Sequence, residues 1–170
     1  MAVLYRCRRG RVAVDVGARW RQSGPVESAP HVRERRKPSR EEEGVRNRRG
    51  RPRQLIPGMK SGGGGNIVFT GATASRRGNV MTAAFAPAKA AQRSLAESMA
   101  RALWPAGIHV SIIIVDGVVD LPRSRERMPA KPDSFFLKPE DLADTAFFLT
   151  QQKRSAWSFE VEARPFGETW

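Results

Sequence analysis

Lys89 lies four residues after Phe85 in the alanine-rich run FAPAKAAQRSLAESMARAL, residues 85–103. Four residues is about one helical turn, so the ammonium and the ring share a face. The spacing puts a cation beside a ring that has no hydroxyl and so no acidic hydrogen. Just upstream, NIVFTGATAS at 66–75 sets Thr70, Thr73 and Ser75 around the end of an apolar strand. Hydroxyls at strand ends and in loops commonly satisfy their own backbone, which is the simplest reading of all three. Downstream, Asp116-Gly117 closes a second apolar run, IHVSIIIV, and reads as a strand-end turn. His109, at the start of that run, reads as packed or solvated rather than catalytic. The single Cys7 cannot form an internal disulfide, and no Cys/His cluster has metal-ligand spacing, so no metal site is expected.

Positioning these side chains requires alternating strands and helices, and the pattern from Asn66 onward supplies them. NIVFTG at 66–71 reads as a buried strand. A helix follows over 82–104, with Thr82 as N-cap, Pro87 near the first turn, and apolar residues recurring at spacings of three, four or seven. WPAG stops it, because Pro105 cannot continue a helix and Gly107 suits a reversal. IHVSIIIVDG is apolar enough to be covered on both faces, as in a parallel sheet. After a polar, proline-containing loop, KPEDLADTAFFLTQQ reads as a second helix with acids in its first turn. SFEVEARP then alternates Phe159, Val161 and Ala163 against Glu160, Glu162 and Arg164, as a strand does. The order predicts an α/β fold. Trp104, Trp157 and Trp170 are expected to anchor element ends.

Charge separates this part from what precedes it. Residues 1–60 hold 17 Lys+Arg against 6 Asp+Glu, a net of +11, whereas residues 61–170 hold 13 against 11, a net of +2. Four prolines and a high charge density over 21–53 predict that residues 1–53 form a basic, mostly disordered leader. Residues 54–65, ending in SGGGG, read as a glycine-rich linker, and residues 66–170 as the folded domain. No apolar run approaches the ~18 residues of a membrane-spanning helix. With one cysteine, a reducing, cytoplasmic setting fits.

Five stretches together resemble the C-terminal half of the short-chain dehydrogenase/reductase family: GGGNIVFTGATAS with the following RG, FAPAKAAQRSLAESMARAL, GIHVSIIIVDGVVD, KPEDLADTAFFL and RSAWSFEVEARPF. The resemblance covers residues 54–170. It implies a partial Rossmann-type parallel sheet, the last three strands with two helices, and an oxidoreductase using NAD or NADP. In that family a Tyr four residues before a Lys transfers a proton, the Lys lowering the phenol's pKa and holding the nicotinamide ribose, while a Ser thirteen residues before the Tyr binds the same substrate oxygen. Carried over, Lys89 keeps the lysine place, Phe85 stands at the tyrosine place and Ala72 at the serine place. Val119 falls where a backbone group faces the nicotinamide amide. Neither Phe85 nor Ala72 has a hydroxyl.

A second departure concerns the dinucleotide. The family binds pyrophosphate on a glycine-rich turn between a strand and a helix, and no such unit precedes residue 54. The resemblance therefore implies a degenerate active site in a truncated domain, catalytically impaired as it stands, with NAD or NADP binding not expected. A misassigned start, a frameshift or a shortened gene would explain an arginine-rich leader joined to half a domain. The family counterpart of helix 82–104 often packs at a subunit interface, so a homo-oligomer through that helix is expected. Strand 66–71 should present a bare apolar edge.

A function of another class resides in RRGRPRQ at 48–54. Arg49, Arg51 and Arg53 around Gly50 and Pro52 resemble an AT-hook, which lies extended in a narrow minor groove. Nonspecific polyanion binding through residues 1–53 is the broader form of this alternative, a basic nucleic-acid-binding arm fused to a structural remnant.

Overall fold

The computed structural model describes residues 2–7, 12–16 and 51–167. Its main sheet has five strands in the order β2-β1-β3-β4-β7, where β1 is Ala2–Cys7, β2 Val12–Val16, β3 Gly65–Ala72, β4 Ile108–Val115 and β7 Glu160–Ala163. β3, β4 and β7 are mutually parallel, with Ile67 opposite Val110 and Ile113 opposite Val161. Short strands β5 (Val118–Val119) and β6 (Phe136–Leu137) pair beside it. The α-helices among the described residues are α1 (Arg51–Ser61), α2 (Phe85–Leu103), α3 (Pro122–Arg127) and α4 (Pro139–Gln151), joined by short 3-10 turns. This is the α/β, partial Rossmann-like arrangement expected from the sequence, with its three parallel strands and both expected helices in place.

The core explains why β3 and β4 are apolar on both faces. Ile67, Phe69, Val110, Ile112 and Ile114 pack against Met59 of α1 and Ala96, Ala100 and Leu103 of α2. On the other face, Val68 and Ile113 pack against Leu149 of α4. Alanines on the buried stripe of α2 let its backbone come close to the sheet. Capping differs in detail from expectation. Thr82 is not the helix N-cap, a place held by Ala84 without a side-chain bond; upstream, the Asn79 side chain accepts from Met81 N at 2.9 Å, while Thr82 Oγ1 accepts from Asn79 N at 2.8 Å. These bonds cap a 3-10 turn over Val80–Thr82, and the α-helix begins at Phe85. The α-helix ends at Leu103, and Gly107, at φ 75°, closes the 3-10 turn Trp104–Ala106 that follows it and makes the predicted reversal.

Three expectations about the first third of the chain need correction. Residues 2–7 and 12–16 are strands, not disordered, and β1 pairs antiparallel with β3, Val3 opposite Phe69. The expected bare edge of β3 is therefore paired. The expected linker is mostly helix: α1 runs to Ser61 because Leu55, Ile56 and Met59 form an apolar stripe on the sheet, a pattern masked in sequence by Pro57 and Gly58. SGGGG then closes it tightly, with Gly62 N bonding Gly58 O and Gly64 N bonding Met59 O, at positive φ for Gly63 and Gly64. Finally, Arg51, Pro52 and Arg53 form the first turn of α1. That takes Arg51 and Arg53 out of the extended form an AT-hook needs. Arg49 lies outside the described residues, as do Trp170 and most of the expected leader.

Of the two readings of His109, packed or solvated, the structure shows the packed one, with the residue buried. Its Nδ1 lies 3.1 Å from Leu149 O and its Nε2 2.8 Å from Ser158 O, and its ring stacks on Trp157 at 4.7 Å. Trp104 meets both rings edge-on and anchors its indole N–H on Val110 O. Burial holds the His109 pKa below its ordinary 6.5, outweighing the two carbonyls that favour the charged ring. The unfolded chain therefore takes up this proton first as pH falls, so His109 stabilises the fold above about pH 6.5 and loses that contribution on acidification. Urea unfolding midpoints should fall from neutral to mildly acidic pH in the wild type. His109→Gln should flatten that slope; an unchanged slope would contradict this role.

Candidate active site

The carboxyl ends of β3, β4 and β7 point the same way, and in open α/β sheets ligands bind outside such ends. β3 ends at Ala72, β4 at Val115 followed by Asp116, and β7 at Ala163 followed by Arg164. Helix α2 passes over this edge with Phe85 and Lys89 in its first turns. Lys89 Nζ sits 5.7 Å from the Phe85 ring centroid and donates to Thr70 O at 3.1 Å. Gln92 Nε2 donates to the same carbonyl. Burial lowers the Lys89 pKa from its ordinary value. The structure thus joins Lys89, Phe85 and the end of β3, two residues before Ala72. Val119 is in the separate β5–β6 pairing, opposite Leu137.

The three nearby hydroxyls have separate fates. Thr73 Oγ1 donates to Asp116 Oδ1, so it does not merely satisfy its own backbone. Ser75 Oγ is buried without a hydrogen-bond partner. For Thr70, it is the carbonyl rather than the hydroxyl that takes the bonds described above.

What sequence reasoning missed is an ionic ladder across these strand ends. Asp116 is 7% exposed and pairs with Arg164, which also meets Glu162 at 2.6 Å. Arg76 bridges Glu162 and Glu160, and Arg93 of α2 reaches Glu160 at 2.5 Å. Burial alone would raise the Glu160 pKa, but hydrogen bonds from Arg93 and Arg76 bring it below the ordinary value. Arg76 is correspondingly raised, chiefly by its bond to Glu160. Val161 and Ala163 pack on the α4 side, as the alternation predicted, but Phe159, outside the strand, packs on the α1–α2 side. Acids at alternate positions of β7 and the Arg76-Arg77 pair were visible in sequence; their meeting was not, because it spans more than 80 residues.

Beyond β5, Asp120 takes two bonds from Arg125 and one from Lys138. The Arg125 bonds, then that from Lys138, hold its carboxyl well below the usual range. This clamps the base of the 120–138 excursion. Among the described residues no group of His, Cys, Asp and Glu is arranged to hold a metal ion. Nor is there a strand–glycine turn–helix unit fit for a pyrophosphate, since SGGGG runs from helix to strand. Among the described residues, the Lys89 ammonium is the group that would meet a ribose hydroxyl of a dinucleotide.

Comparison with known proteins agrees with this geometry. Residues 52–130 match the family model described as short chain dehydrogenase. An oxidoreductase of Bacillus subtilis (strain 168), YmfI, is 29% identical over 111 residues, 61% of this chain and 46% of that protein. The crystal structure of a short-chain dehydrogenase from Rhodopseudomonas palustris shares 41% identity with a TM-score of 0.52, over 67% of this chain and 44% of that one. A 7α-hydroxysteroid dehydrogenase complexed with NADH shares 25% identity with a TM-score of 0.52, over 68% of this chain and 49% of that one. The chain thus spans about half the length of the relatives it matches. In sequence and in fold, the C-terminal part of this chain is similar to short-chain dehydrogenases.

Proposed function

We propose that this chain is an NAD(P)-dependent oxidoreductase by descent whose carbonyl chemistry is impaired. The observation that carries this reading is Lys89 beside a partner with no hydroxyl: its ammonium sits over the Phe85 ring, and Ala72 ends the adjacent strand. A positioned proton donor typically contributes ~10²–10⁴-fold, and neither residue supplies one. The Thr73 hydroxyl is engaged by Asp116 rather than held out to a substrate. A nicotinamide, when bound, supplies or takes the hydride, and the NADH held by the steroid dehydrogenase relative supports that cofactor class. Lys89 would hold its ribose. With no cradle among the described residues for the pyrophosphate, no hydride step is assigned to this chain.

The test is consumption of reduced nicotinamide by the 170-residue chain with a panel of ketones. Turnover at background level is expected. A rate that disappears in Lys89→Ala would contradict impairment.

Two associations belong to the same proposal. Leu95, 52% exposed on α2, supports a homo-oligomer through that helix. A sedimentation profile that stays monomeric as concentration rises would count against it. The net charge of +11 over residues 1–60 supports nonspecific, salt-sensitive polyanion binding. A cytoplasmic setting fits the single cysteine, and no helix among the described residues is long and apolar enough to cross a membrane.

A further inference from the structure

Large apolar side chains stand uncovered at the carboxyl ends of the parallel strands. Helix α2 joins two parallel strands, β3 and β4, so it begins at that end of the sheet and runs back. The 3-10 turn Val80–Thr82, just before α2, is therefore at the carboxyl end, as are Leu121 and Met128 after β4 and Phe166 after β7. Val80 is 94% exposed, Met81 88% and Phe166 fully; Leu121 and Met128 are exposed as well. Among the described residues these are five of the eight large apolar side chains left exposed, so the exposure is gathered at one end rather than scattered singly.

Hydrogen bonds and ion pairs hold the three loops to one another. Gly167 N donates to Ser134 O at 3.3 Å, joining the segment after β7 to the 120–138 excursion. Thr73 donates to Asp116 and Arg77 stops 3.9 Å from it, joining the segment after β3 to the end of β4. The reciprocal bonds of Asn79 and Thr82 brace the turn that carries Val80 and Met81, so both side chains are held outward.

Cations accompany the apolar tips. Arg77, Arg123, Arg127 and Lys131 are exposed at this end, against the exposed acids Glu126 and Asp133, the latter paired with Arg125. Asp116 and Asp120 are already matched by Arg164, Arg125 and Lys138. Apolar tips among cations fit an anionic bilayer, where the tips enter the acyl boundary and the cations stay with the headgroups. A nucleic acid would reward the cations and leave Val80 and Met81 without a partner. A second copy docked symmetrically through this face would set the same cations against themselves.

We infer that the carboxyl end of the sheet is a docking surface for an anionic membrane, entered by Val80, Met81 and Phe166 and steadied by the exposed arginines. Neither Lys89 nor Phe85 takes part, so the inference stands apart from the nicotinamide reading.

The test is co-sedimentation of the full chain, at physiological salt, with vesicles of phosphatidylcholine alone and of phosphatidylcholine with phosphatidylserine. Binding to the anionic vesicles alone is expected. Val80→Ser/Met81→Ser changes two exposed side chains and keeps every cation, those of residues 1–60 included; it should weaken the binding by about tenfold or more. Arg123→Gln/Arg127→Gln should weaken it about fivefold for each charge. Phe148→Ser, exposed near the end of α4 and so toward the opposite end of the sheet, should leave it unchanged. Undiminished binding of Val80→Ser/Met81→Ser would assign the retention to general polyanion attraction and overturn the inference. No binding to anionic vesicles, or an equal loss in Phe148→Ser, would overturn it too. A lower sedimentation coefficient for lipid-free Val80→Ser/Met81→Ser than for the wild type would give this face to a second copy instead.

Discussion

Replacing Arg164 with methionine is expected to cost about 3–5 kcal/mol of folding stability, a large share of the ~5–15 kcal/mol of a typical domain. The cause is the carboxylate left behind. Asp116 is nearly buried at the end of β4, and without Arg164 it keeps the Thr73 hydroxyl and the more distant Arg77. Glu162 loses a partner as well, though Arg76 remains on it. Arg164→Met combined with Asp116→Asn removes both charges together, and most of the lost stability should return. Urea denaturation of the three proteins measures this. A loss below about 1 kcal/mol in Arg164→Met, the scale of an exposed pair, would show that the ion pair is effectively solvated.

That ion pair also marks where sequence reading stops. β4 and α2 were legible as elements because their information is local. IHVSIIIV is buried from Ile108 to Ile114 and apolar there except at His109 and Ser111. Phe85, Ala88, Leu95, Met99 and Leu103 recur at helical spacing, although the face of α2 that is buried is Ala86, Ala96, Ala100 and Leu103, with Leu95 exposed. The relation of Lys89 to Phe85 was legible for the same reason, being one helical turn. α1 was not, since Pro57 and Gly58 interrupt a stripe that only the sheet beneath makes stable. The pairing of β1 with β3 joins segments about 60 residues apart, and neither sequence specifies the other. Thr73, Asp116 and Arg164 each read as ordinary ends of separate strands. Their contact depends on the parallel register of β3, β4 and β7, which brings three carboxyl ends to one edge.

The second large effect is expected as an absence. Restoring both hydroxyls with Phe85→Tyr and Ala72→Ser should not turn the 170-residue chain into a dehydrogenase, although a working proton relay is commonly worth ~10²–10⁴-fold. A relay acts only on a substrate beside a bound nicotinamide, and binding relies on a pyrophosphate cradle. No strand–glycine turn–helix unit occurs among the described residues, and the tight turn at Gly62–Gly64 leads into a strand. In the function proposed above, Lys89 would contribute one ribose contact. A hydrogen bond to a charged group is worth about 1.5–3 kcal/mol, against an association cost of about 4 kcal/mol or more.

Titration calorimetry of the chain with NADP, at moderate salt to suppress loose attraction of phosphate to the basic N-terminal residues, tests this most directly. The expected result is no saturable heat, in the wild type and in Phe85→Tyr/Ala72→Ser alike. Saturable micromolar binding that is lost in Lys89→Ala, yet kept when residues 1–53 are deleted, would contradict the account and establish a working cofactor site on this chain.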